Sequence, residues 1–459
     1  MNLILFCVLT YIALQLAVVF GLSRRRVRNE EDYLLAGRSL GPWLATFSVF
    51  ATWFGAETCI GAAGQAYRAG LEGVSTDPFG YAIGIVAMGL FFAAPLWKRG
   101  IMTLADLFRQ RYGIGVERMA AIIMIPTSVL WAAAQVRAFG QVLASCSEMG
   151  VFAAITLAAV VVIAYTVIGG MWADAVTDLL QGVVLILGVL VLGAVFLAHG
   201  GAQQLAAIPV QRLSFGAARA PLAALETFSI PIFSSIAAQE LVSRVLAMRS
   251  PALARGATVG AGAVYLAVGL IPVCLGLAGA AFIGPGVDPE RVLPEFAERY
   301  LSTPLYILFL GALVSAILST LSGALLVAGS LAAHNVVIPL RPGLKDKAKL
   351  RLDRIAVIVF GVLAYGIALS SDSVYALVEE SSSLGSSGVL VIMVFSLWLP
   401  RLGGAPSAYA ALLAGVAVYV AGAHWRHWEY PYLTSLAASL AAYLACALRV
   451  AGRRSPSPA

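Results

Sequence analysis

Charged residues are scarce in this sequence of 459 residues: they make up 12% of the chain, whereas hydrophobic residues make up 60%. The mean hydropathy is +0.90. A soluble protein of this composition would expose large apolar patches and aggregate. Polar stretches long enough to build a separate domain are also missing. We therefore expect a protein without a soluble domain of any size.

Groups that would indicate enzymatic or metal chemistry are few and scattered. The cysteines lie in or beside apolar segments without paired or metal-like spacing, which argues against disulfides and against a cysteine metal site. These are Cys7, Cys59, Cys146, Cys274 and Cys446. The histidines fall near predicted helix ends, so we interpret them as interfacial rather than as proton relays. They are His199, His334, His424 and His427. We find no nucleophile paired with a base, and we expect no enzyme.

Apolar runs of about 20 residues recur along the whole chain, which is typical of membrane-spanning helices. The first run lacks a basic start and a small-residue cleavage site, so we interpret it as a retained helix and not a signal peptide. The sequence predicts an all-α, polytopic membrane protein with about 13 transmembrane helices. The predicted spans are 3–22, 42–67, 78–97, 118–146, 151–168, 173–199, 224–247, 256–283, 303–336, 354–370, 373–399, 404–423 and 431–450.

The net charge of +7 does not indicate nucleic-acid binding, because the basic residues lie between apolar runs and not along one face. If the N-terminus lies outside, few basic residues remain on the outer side. These are Arg68, Arg212, Arg219, Arg291, Arg299 and Arg426. Arg137 lies within a span, and all the others lie inside. We therefore predict a multi-pass protein of the plasma or inner membrane with a cytoplasmic C-terminus.

Polar side chains within the predicted spans mark candidate sites, because an ionised group at the bilayer centre costs at least ~2.5–3.5 kcal/mol. The ninth span, GALVSAILSTLSGALLVAGS (311–330), contains several hydroxyl groups. Two interpretations remain open for it. The hydroxyls either bond back to their own helix and help helices to pack closely, or form part of a hard-cation site with backbone carbonyls. The second interpretation requires a neighbouring helix that is broken.

The second span has such a weak point. Its middle reads ATWFGAETCIGAAG (51–64) and contains Trp53, Gly55 and Glu57, which a purely lipid-spanning helix does not need. Unwinding at Gly55 would free the backbone carbonyls of residues 51–54. Unwound backbone at membrane depth is tolerated only where it lines a cavity or is buried in protein. A breakable early helix together with a hydroxyl-rich late helix favours a secondary transporter built from inverted repeats.

Four blocks of the sequence resemble the sodium/solute symporter family, in the same order along the chain. They are DYLLAGRSLGPW (32–43), YTVIGGMWADAVTDLLQG (165–182), SRVLAMRS (243–250) and LVSAILSTLSGALLVAGS (313–330). The resemblance implies two inverted five-helix repeats, spans two to six and seven to eleven, each with a broken first helix. The implied division is an N-terminal helix and linker (1–40), a first repeat (41–199), a second repeat (224–399), and C-terminal helices with a short basic tail (400–459).

The resemblance also implies a sodium site between the broken second span and the ninth span. Its ligands would be the carbonyls of Ala51, Phe54 and Ala316 and the hydroxyls of Ser319 and Thr320. A second sodium site is left open at Asp178, with Ser319 and Ser322. Gly323 counts against that second site, because the family has a helpful serine at this position.

Within the family, the nearest likeness is to the high-affinity choline transporter branch. ATWFG (51–55), GLFFAAPLWKRGIMTLAD (89–106) and LWAAA (130–134) resemble its blocks. That branch encloses a quaternary ammonium in aromatic rings, for which cation–π attraction is the physical reason. Two positions depart from the branch: Ala238 replaces a tryptophan and Glu57 replaces a glycine. The predicted solute-site residues are Trp53, Gly55, Glu57, Tyr81, Trp131, Arg137 and Ala238.

Several roles stay open from the sequence. Glu57 either receives an amine or pairs with Arg137. Trp131 either lines the pocket or only packs. Glu240 is expected to pair with Arg244, one turn further on. Glu379 and Glu380 face either an outer vestibule or the interior.

The sequence predicts a sodium-coupled secondary symporter that imports a small polar organic solute by alternating access, with Na⁺ as the coupling ion. The aromatic cage and the carboxylate suggest an amine or a quaternary ammonium, but small polar acids, sugars and amino acids also stay open as solutes. The expected surroundings are the lipid bilayer, without nucleic acid. Two alternatives remain. The first is a proton-coupled transporter of the same fold, with Glu57 or Asp178 as the proton carrier. The second is a transporter-like sensor that acts with a separate partner chain.

Overall fold

The computed structural model describes residues 3–145, 147, 149–215, 220–341, 343–371 and 374–453. Cys146, Arg219 and the end of the basic tail, which figure in the predictions, lie outside the described residues. In the described ranges the chain is helical, and the β-pairing found there is one isolated bridge between Leu40 and Met248. The predicted all-α class is confirmed.

Thirteen helical segments follow the predicted spans along the described chain, and we number them α1 to α13. They are α1 (Leu3–Arg26), α2 (Pro42–Trp53, then 57–69), α3 (81–97), α4 (Ile114–Ser145), α5 and α6 (the parts of Val151–Ala198 before and after Gly170), α7 (Pro221–Ala237 and Gln239–Leu246), α8 (Pro251–Ile283), α9 (Thr303–Ser330), α10 (Asp346–Ser370), α11 (Val374–Ser383 and Ser386–Trp398), α12 (Ala405–Val420) and α13 (Pro431–Arg453).

Length and hydropathy alone identify 10 described helices that are able to cross a membrane, or up to 11 when a bent pair is counted as one span. The difference from thirteen arises because two long stretches, Val151–Ala198 and Glu57–Trp97, are each counted as one helix although they cover parts of two predicted spans. The chain therefore crosses the membrane many times. The number of spans depends on whether a bent helix is counted as one span or as two.

The helix Val151–Ala198 shows why a bend divides spans. Its 48 residues would extend about 72 Å as a straight helix, more than twice the thickness of a bilayer core. At Gly170 the backbone leaves the helix with φ 65° and ψ −178°. The hydroxyls of Tyr165 and Thr177 are hydrogen-bonded across this point, although they are 12 residues apart. The chain therefore turns sharply at Gly170 and forms α5 and α6.

Helix starts follow simple local rules. Several spans have proline in the first turn, where its missing N–H removes no helical hydrogen bond. These prolines are Pro42, Pro221, Pro251, Pro304, Pro406 and Pro431. The chain after α3 forms the short helix Leu104–Tyr112, which begins with a capping box formed by Thr103 and Asp106. Its apolar side is buried against the protein.

Two helices, α2 and α7, are interrupted near the middle. Helix α2 stops at Trp53 and resumes at Glu57. Helix α7 is bent by 41° at Ala238, whose ψ of 125° is not helical. The second half of α7 packs against the first half of α2. These are the first helices of the two predicted repeats, so both expected breaks are present.

Helix α9 lies at the centre of the molecule. It packs against α2, α4, α10 and the α5–α6 helices, and residues 312–330 are all buried. The helical conformation continues to Leu340, so that the whole helical stretch has 38 residues. The hydroxyls of α9 are therefore held in the interior, facing the break in α2.

Candidate functional site

The break in α2 frees one backbone carbonyl toward α9. In a continuous helix the carbonyl of Ala51 would accept a hydrogen bond from the N–H of Gly55. That N–H donates instead to the carbonyl of Trp53, at 3.0 Å. The carbonyl of Ala51 accepts a hydrogen bond from the hydroxyl of Thr320 at 3.3 Å. Two of the predicted sodium ligands are thus brought together.

The remaining predicted ligands lie in the same region. Phe54 is buried within the break itself, with φ −84° and ψ 77°. Ala316 is buried on α9, one turn before Thr320, and Ser319 is adjacent to Thr320. A break, its carbonyls and two hydroxyls supply the neutral oxygen atoms that a hard monovalent cation requires.

A buried carboxylate adjoins this group. Asp178 of α6 accepts hydrogen bonds from Ser48 at 2.6 Å and from Ser319 at 2.5 Å. Asp174, one turn earlier, accepts a hydrogen bond from Ser322. The two residues proposed for a second sodium site, Asp178 and Ser322, therefore contact different partners. Ser322 is bonded to Asp174 and not to Asp178.

Arg244 changes the interpretation of this cluster. The sequence placed it in a cytoplasmic loop and paired it with Glu240, but it lies in the last turn of α7 and is 1% exposed. Its guanidinium forms an ion pair with Asp174 and lies 3.7 Å from Asp178. Its Nε donates to the hydroxyl of Thr52 at 2.8 Å. The structure therefore corrects both expectations, because the side chain turns inward toward α6.

The predicted aromatic pocket is a small cavity of about 60 Å³ beside the break. Four of the predicted solute-site residues line it: Trp53, Tyr81, Trp131 and Ala238. The rings of Trp53 and Trp131 meet edge to face, with centroids 5.0 Å apart. Trp131 therefore lines the cavity as well as packing.

Glu240 is a lining residue that the sequence reasoning missed. Its side chain borders the small cavity, and it accepts a hydrogen bond from Ser128 at 2.5 Å. The signal was present, since Glu240 is a carboxylate within an apolar span. It was assigned instead to a local ion pair with Arg244, because the two residues are one turn apart on the same helix.

Glu57 does not line the small cavity. Its carboxylate accepts hydrogen bonds from Gln135 at 2.6 Å and from the indole of Trp131 at 3.2 Å. Arg137 donates a hydrogen bond to the carbonyl of Ala368 at 3.4 Å. In the described part of the chain, it is not among the hydrogen-bond partners of the Glu57 carboxylate. The carboxylate also lies over Gly55, where an added Cβ would approach it to 2.5 Å. A larger residue at this position would therefore displace the Glu57 carboxylate.

Glu57 faces a second cavity of about 590 Å³, which we call the vestibule. Five further carboxylates line the vestibule: Asp77, Glu226, Glu379, Glu380 and Glu429. Among the residues that the structure describes, its lining contains no lysine or arginine. Glu379 and Glu380, whose direction the sequence left open, both line this cavity.

Two residues border both the vestibule and the small cavity. Tyr81 and Ser382 line both, and their hydroxyls are hydrogen-bonded at 2.7 Å. This bond joins α3 to α11. It lies between the larger space and the smaller one.

One buried carboxylate of the vestibule lining was also missed by the sequence reasoning. Asp77 accepts hydrogen bonds from Thr58 at 2.9 Å and from Tyr265 at 2.8 Å. The sequence places Asp77 in a loop before the third span, and no local pattern indicates contacts with α2 and α8. The triad fixes the second half of α2 against α8.

A polar cluster lies at the far end of α9, away from both cavities. His334 contacts Glu30 at 2.6 Å and Asp106 at 3.3 Å. Burial would raise the pKa of Asp106, but its hydrogen bond with His334 and the nearby charge hold that pKa below its usual range. These contacts fasten the helices Glu30–Leu35 and Leu104–Tyr112 to α9.

A model of the sodium:solute symporter family matches residues 33–415. High-affinity choline transporter 1 of Drosophila melanogaster is 29% identical over 372 residues, which cover 78% of this chain and 60% of that protein. The human high affinity choline transporter 1 is 28% identical over 382 residues, 78% of this chain and 65% of that protein. The chain thus spans less than two thirds of the length of these relatives.

The match to a bacterial relative extends over a larger share of both proteins. The sodium/proline symporter of Haemophilus influenzae is 27% identical over 419 residues, which cover 85% of this chain and 82% of that protein. The named relatives are transporters and not enzymes. They bind different solutes, so the likeness alone does not identify the solute of this chain.

Solved structures agree on the fold. A Na⁺-coupled sialic acid symporter in a substrate-bound outward-open state has a TM-score of 0.84 at 17% identity, covering 100% of this chain and 99% of that one. MHP1, a nucleobase-cation-symport-1 family transporter in a closed conformation, has a TM-score of 0.64 at 17% identity, covering 93% and 96%. At this level of identity, the likeness concerns the arrangement of helices.

Proposed function

The chain belongs to the sodium:solute symporter family, and from that premise we propose that it is a sodium-coupled symporter that imports a small organic cation by alternating access. One observation carries the proposal. A small cavity lined by three aromatic side chains and a carboxylate lies beside a broken helix, and the freed carbonyl of that helix faces a hydroxyl of α9.

Sodium is proposed to bind at the break in α2. The ligands would be the carbonyls of Ala51, Phe54 and Ala316 and the hydroxyls of Ser319 and Thr320. Oxygen atoms of this kind suit a hard cation. An ion held there would replace the hydrogen bond between Thr320 and Ala51 and would join α2 to α9 more strongly. Sodium would thereby stabilise the conformation in which α2 and α9 are held together and the small cavity beside the break is formed.

The small cavity suits a cationic solute. Aromatic faces attract a cation by about 0.5–2 kcal/mol each when they are correctly placed. Glu240 adds a carboxylate, and it is 4% exposed, so its charge is poorly screened by water. The Nε1 of Trp53 is buried and has no hydrogen-bond partner among the described residues. A solute with a hydrogen-bond acceptor near its cationic group would satisfy that donor.

Two further features support a small cation. The cavity volume of about 60 Å³ has room for about four water molecules, so the solute is small or enters with a local expansion. The vestibule that leads to the cavity is lined by carboxylates, which raise the local concentration of cations. Glu57 belongs to this approach route and acts there through its charge.

The proposed cycle follows from these spaces. Sodium and solute enter from the vestibule, which opens to the outside if the N-terminus lies outside a plasma or inner membrane, as the charge distribution predicts. Solute entry breaks the bond between Tyr81 and Ser382. The membrane potential contributes about 2.3 kcal/mol per charge per 100 mV to inward movement. Release follows when the route to the cytoplasm opens.

Proton coupling is the second candidate, because Asp178 is a fully buried carboxylate beside the proposed ion site. A proton on Asp178 would take the place of sodium. The two candidates differ in the gradient that they use. The third alternative, a sensor that acts with a partner chain, predicts solute binding without accumulation.

The test begins with a thermal-shift screen of small amines, choline and amino acids, each with and without sodium at constant ionic strength. A transported solute stabilises the protein more when sodium is present. The best compound is then radiolabelled and offered to proteoliposomes under a sodium gradient, a pH gradient or neither. Accumulation that requires the sodium gradient supports the proposal. Accumulation driven by the pH gradient without sodium would establish proton coupling, and binding without accumulation would establish a sensor.

A further inference from the structure

We infer that the solute of the small cavity carries N–H donors on its cationic nitrogen, so that the protein binds a protonated amine in preference to a quaternary ammonium. The inference rests on the proposed import of a small organic cation and narrows the chemical class of that solute. It starts from the polar atoms that line the cavity, most of which are arranged to accept hydrogen bonds.

Hydroxyl groups form a large part of this lining. Besides Tyr81, six hydroxyl-bearing side chains border the cavity, and they belong to α4, α7 and α11. They are Thr127, Ser128, Ser234, Ser381, Ser382 and Ser386. The cavity is therefore rich in hydroxyl oxygen atoms that come from three different helices.

Several of these hydroxyls have already used their hydrogen atoms. Thr127 donates to the carbonyl of Met124 at 2.6 Å, and Ser381 donates to the carbonyl of Val378 at 2.8 Å. Ser386 likewise donates to a carbonyl of α11. A hydroxyl group has one hydrogen but two lone pairs, so an oxygen that already donates can only accept from a solute. A solute bonds to these oxygen atoms only if it supplies the hydrogen.

Glu240 is the strongest acceptor of the cavity. It is buried, and it is the one charged side chain among the described residues of the lining. Its hydrogen bond with Ser128 uses one of the about four lone-pair positions of a carboxylate. Arg244, one turn further on, is paired with Asp174 instead. Since a buried carboxylate requires a partner of opposite charge, an ammonium N–H suits it, because it supplies both the charge and the hydrogen.

The aromatic rings cover only part of the cavity. Trp53 and Trp131 lie together, edge to face, whereas Ala238 and Glu240 of α7 present a methyl group and a carboxylate. A quaternary nitrogen would bury methyl groups against oxygen atoms there and leave those acceptors without hydrogen bonds. A site built to bond an N–H discriminates strongly against an analogue that lacks it. Each methyl group also adds volume in a cavity of about 60 Å³.

A methylation series on one skeleton tests the inference. The probes are ethanolamine and its N-methyl, N,N-dimethyl and N,N,N-trimethyl derivatives, the last of which is choline. All are cations at pH 7, and each step replaces one N–H by a methyl group. Affinities are measured by isothermal titration calorimetry on the purified protein in NaCl, with KCl for comparison. We expect a loss of about 10- to 100-fold along the series, with the largest step where the last N–H disappears.

The possible results separate the inference from the proposed function. Choline that binds as tightly as ethanolamine, or more tightly, would overturn the inference and leave a small cation as the solute. If none of the compounds binds in NaCl, the proposed solute class fails together with the inference. A falling series that is the same in NaCl and in KCl would support the inference but count against sodium coupling.

Substitution of Glu240 tests whether this carboxylate accepts the N–H. Glu240→Gln keeps the shape of the side chain but removes its charge, so the ratio of ethanolamine affinity to choline affinity should fall by about 3- to 10-fold. The control Glu379→Gln neutralises a carboxylate of the vestibule and should leave that ratio unchanged. An unchanged ratio in Glu240→Gln would overturn the assignment of Glu240. The series on the wild-type protein decides the inference even if this variant does not fold.

Discussion

Helices α2 and α7 are both interrupted near the middle, α2 over residues 54–56 and α7 at Ala238. They differ in what the interruption provides. In α2 the backbone itself becomes available, because the carbonyl of Ala51 loses its helical partner and faces Thr320. In α7 the side chains after the bend carry the chemistry, with Glu240 at the solute cavity and Arg244 in the carboxylate cluster. The break in α2 therefore exposes a neutral backbone carbonyl, whereas the bend in α7 is followed by charged side chains.

The largest expected effect lies on the α2 side. Ser319→Ala combined with Thr320→Ala removes both hydroxyl ligands opposite the break. We expect the sodium concentration for half-maximal uptake to rise about 100-fold or more, because each charge-assisted contact contributes about 1.5–3 kcal/mol. Ser315→Ala is the matched control on the same helix, since its hydroxyl bonds to Gly311 and Tyr11. Unchanged sodium dependence in the double variant would refute the site.

The next effect lies on the α7 side. Glu240→Gln keeps the shape of the side chain but removes its charge from the small cavity. The affinity for a cationic solute should fall about 10- to 100-fold, with sodium binding unchanged. The control is Glu379→Gln, which neutralises a carboxylate of the vestibule and should have a smaller effect. A titration of solute at saturating sodium distinguishes them, and equal losses in the two variants would argue against direct contact with Glu240.

Substitution of the aromatic residues that line the small cavity should weaken solute binding less than removal of the Glu240 charge. Trp53→Leu removes one aromatic face and should weaken binding of a cationic solute by about 3- to 30-fold. Trp131→Phe retains a ring and should cost about threefold or less. The measurement compares each cationic solute with a neutral analogue of the same shape. If a variant weakens binding of the cationic solute and of its neutral analogue by the same factor, the rings contribute packing and not cation–π attraction.

Glu57 lies directly after the break in α2, but its carboxylate lines the vestibule, which is the proposed approach route of the solute. Glu57→Gln should change solute affinity more than sodium affinity, by a few-fold. Its hydrogen bonds with Gln135 and Trp131 are local, so the ion site should stay intact. Parallel measurements of solute and sodium affinity test this. Equal losses in both would indicate that Glu57 supports the break itself.

The smallest effect is expected outside both breaks. The pKa of Asp106 is lowered in the folded protein, so its contribution to stability is fully present above the unfolded value near 3.9. This contribution is lost as the pH falls through the lowered folded value. Asp106→Asn should therefore reduce the melting temperature at pH 7 and flatten its decline at acidic pH, without changing sodium or solute binding. A change in either affinity would connect this cluster with the transport cycle.

Much of the fold follows from local sequence signals. Apolar runs predicted where the helical segments lie, and Gly55 predicted the break in α2. These are features of single helices, in which hydrophobicity and backbone flexibility decide the outcome. The aromatic cavity was instead expected from the resemblance of the blocks around Trp53 and Trp131 to the family. The division of 151–198 into two spans was also predicted.

The contacts that the sequence did not provide join residues far apart in the chain. Arg244 appeared to belong to a basic loop, since positive charges near helix ends usually lie in the cytoplasm. Its turn toward Asp174 depends on how α6 and α7 pack. Gln135 and Asp77 were missed for the same reason. A single amide or carboxylate in an apolar stretch indicates a buried contact but does not name the partner.

The bond between Tyr81 and Ser382 separates a space of about 590 Å³ from one of about 60 Å³. If the proposed function is correct, a cation that fits the vestibule but exceeds the small cavity would bind in the first space without reaching the second, and it would act as a blocker. Its binding would then depend on Glu57, Glu379 and Glu380, which line the vestibule. The affinity for the solute would depend on Glu240 and the aromatic residues of the small cavity. Substitutions in one space would therefore change the response to blockers without changing the solute that is carried.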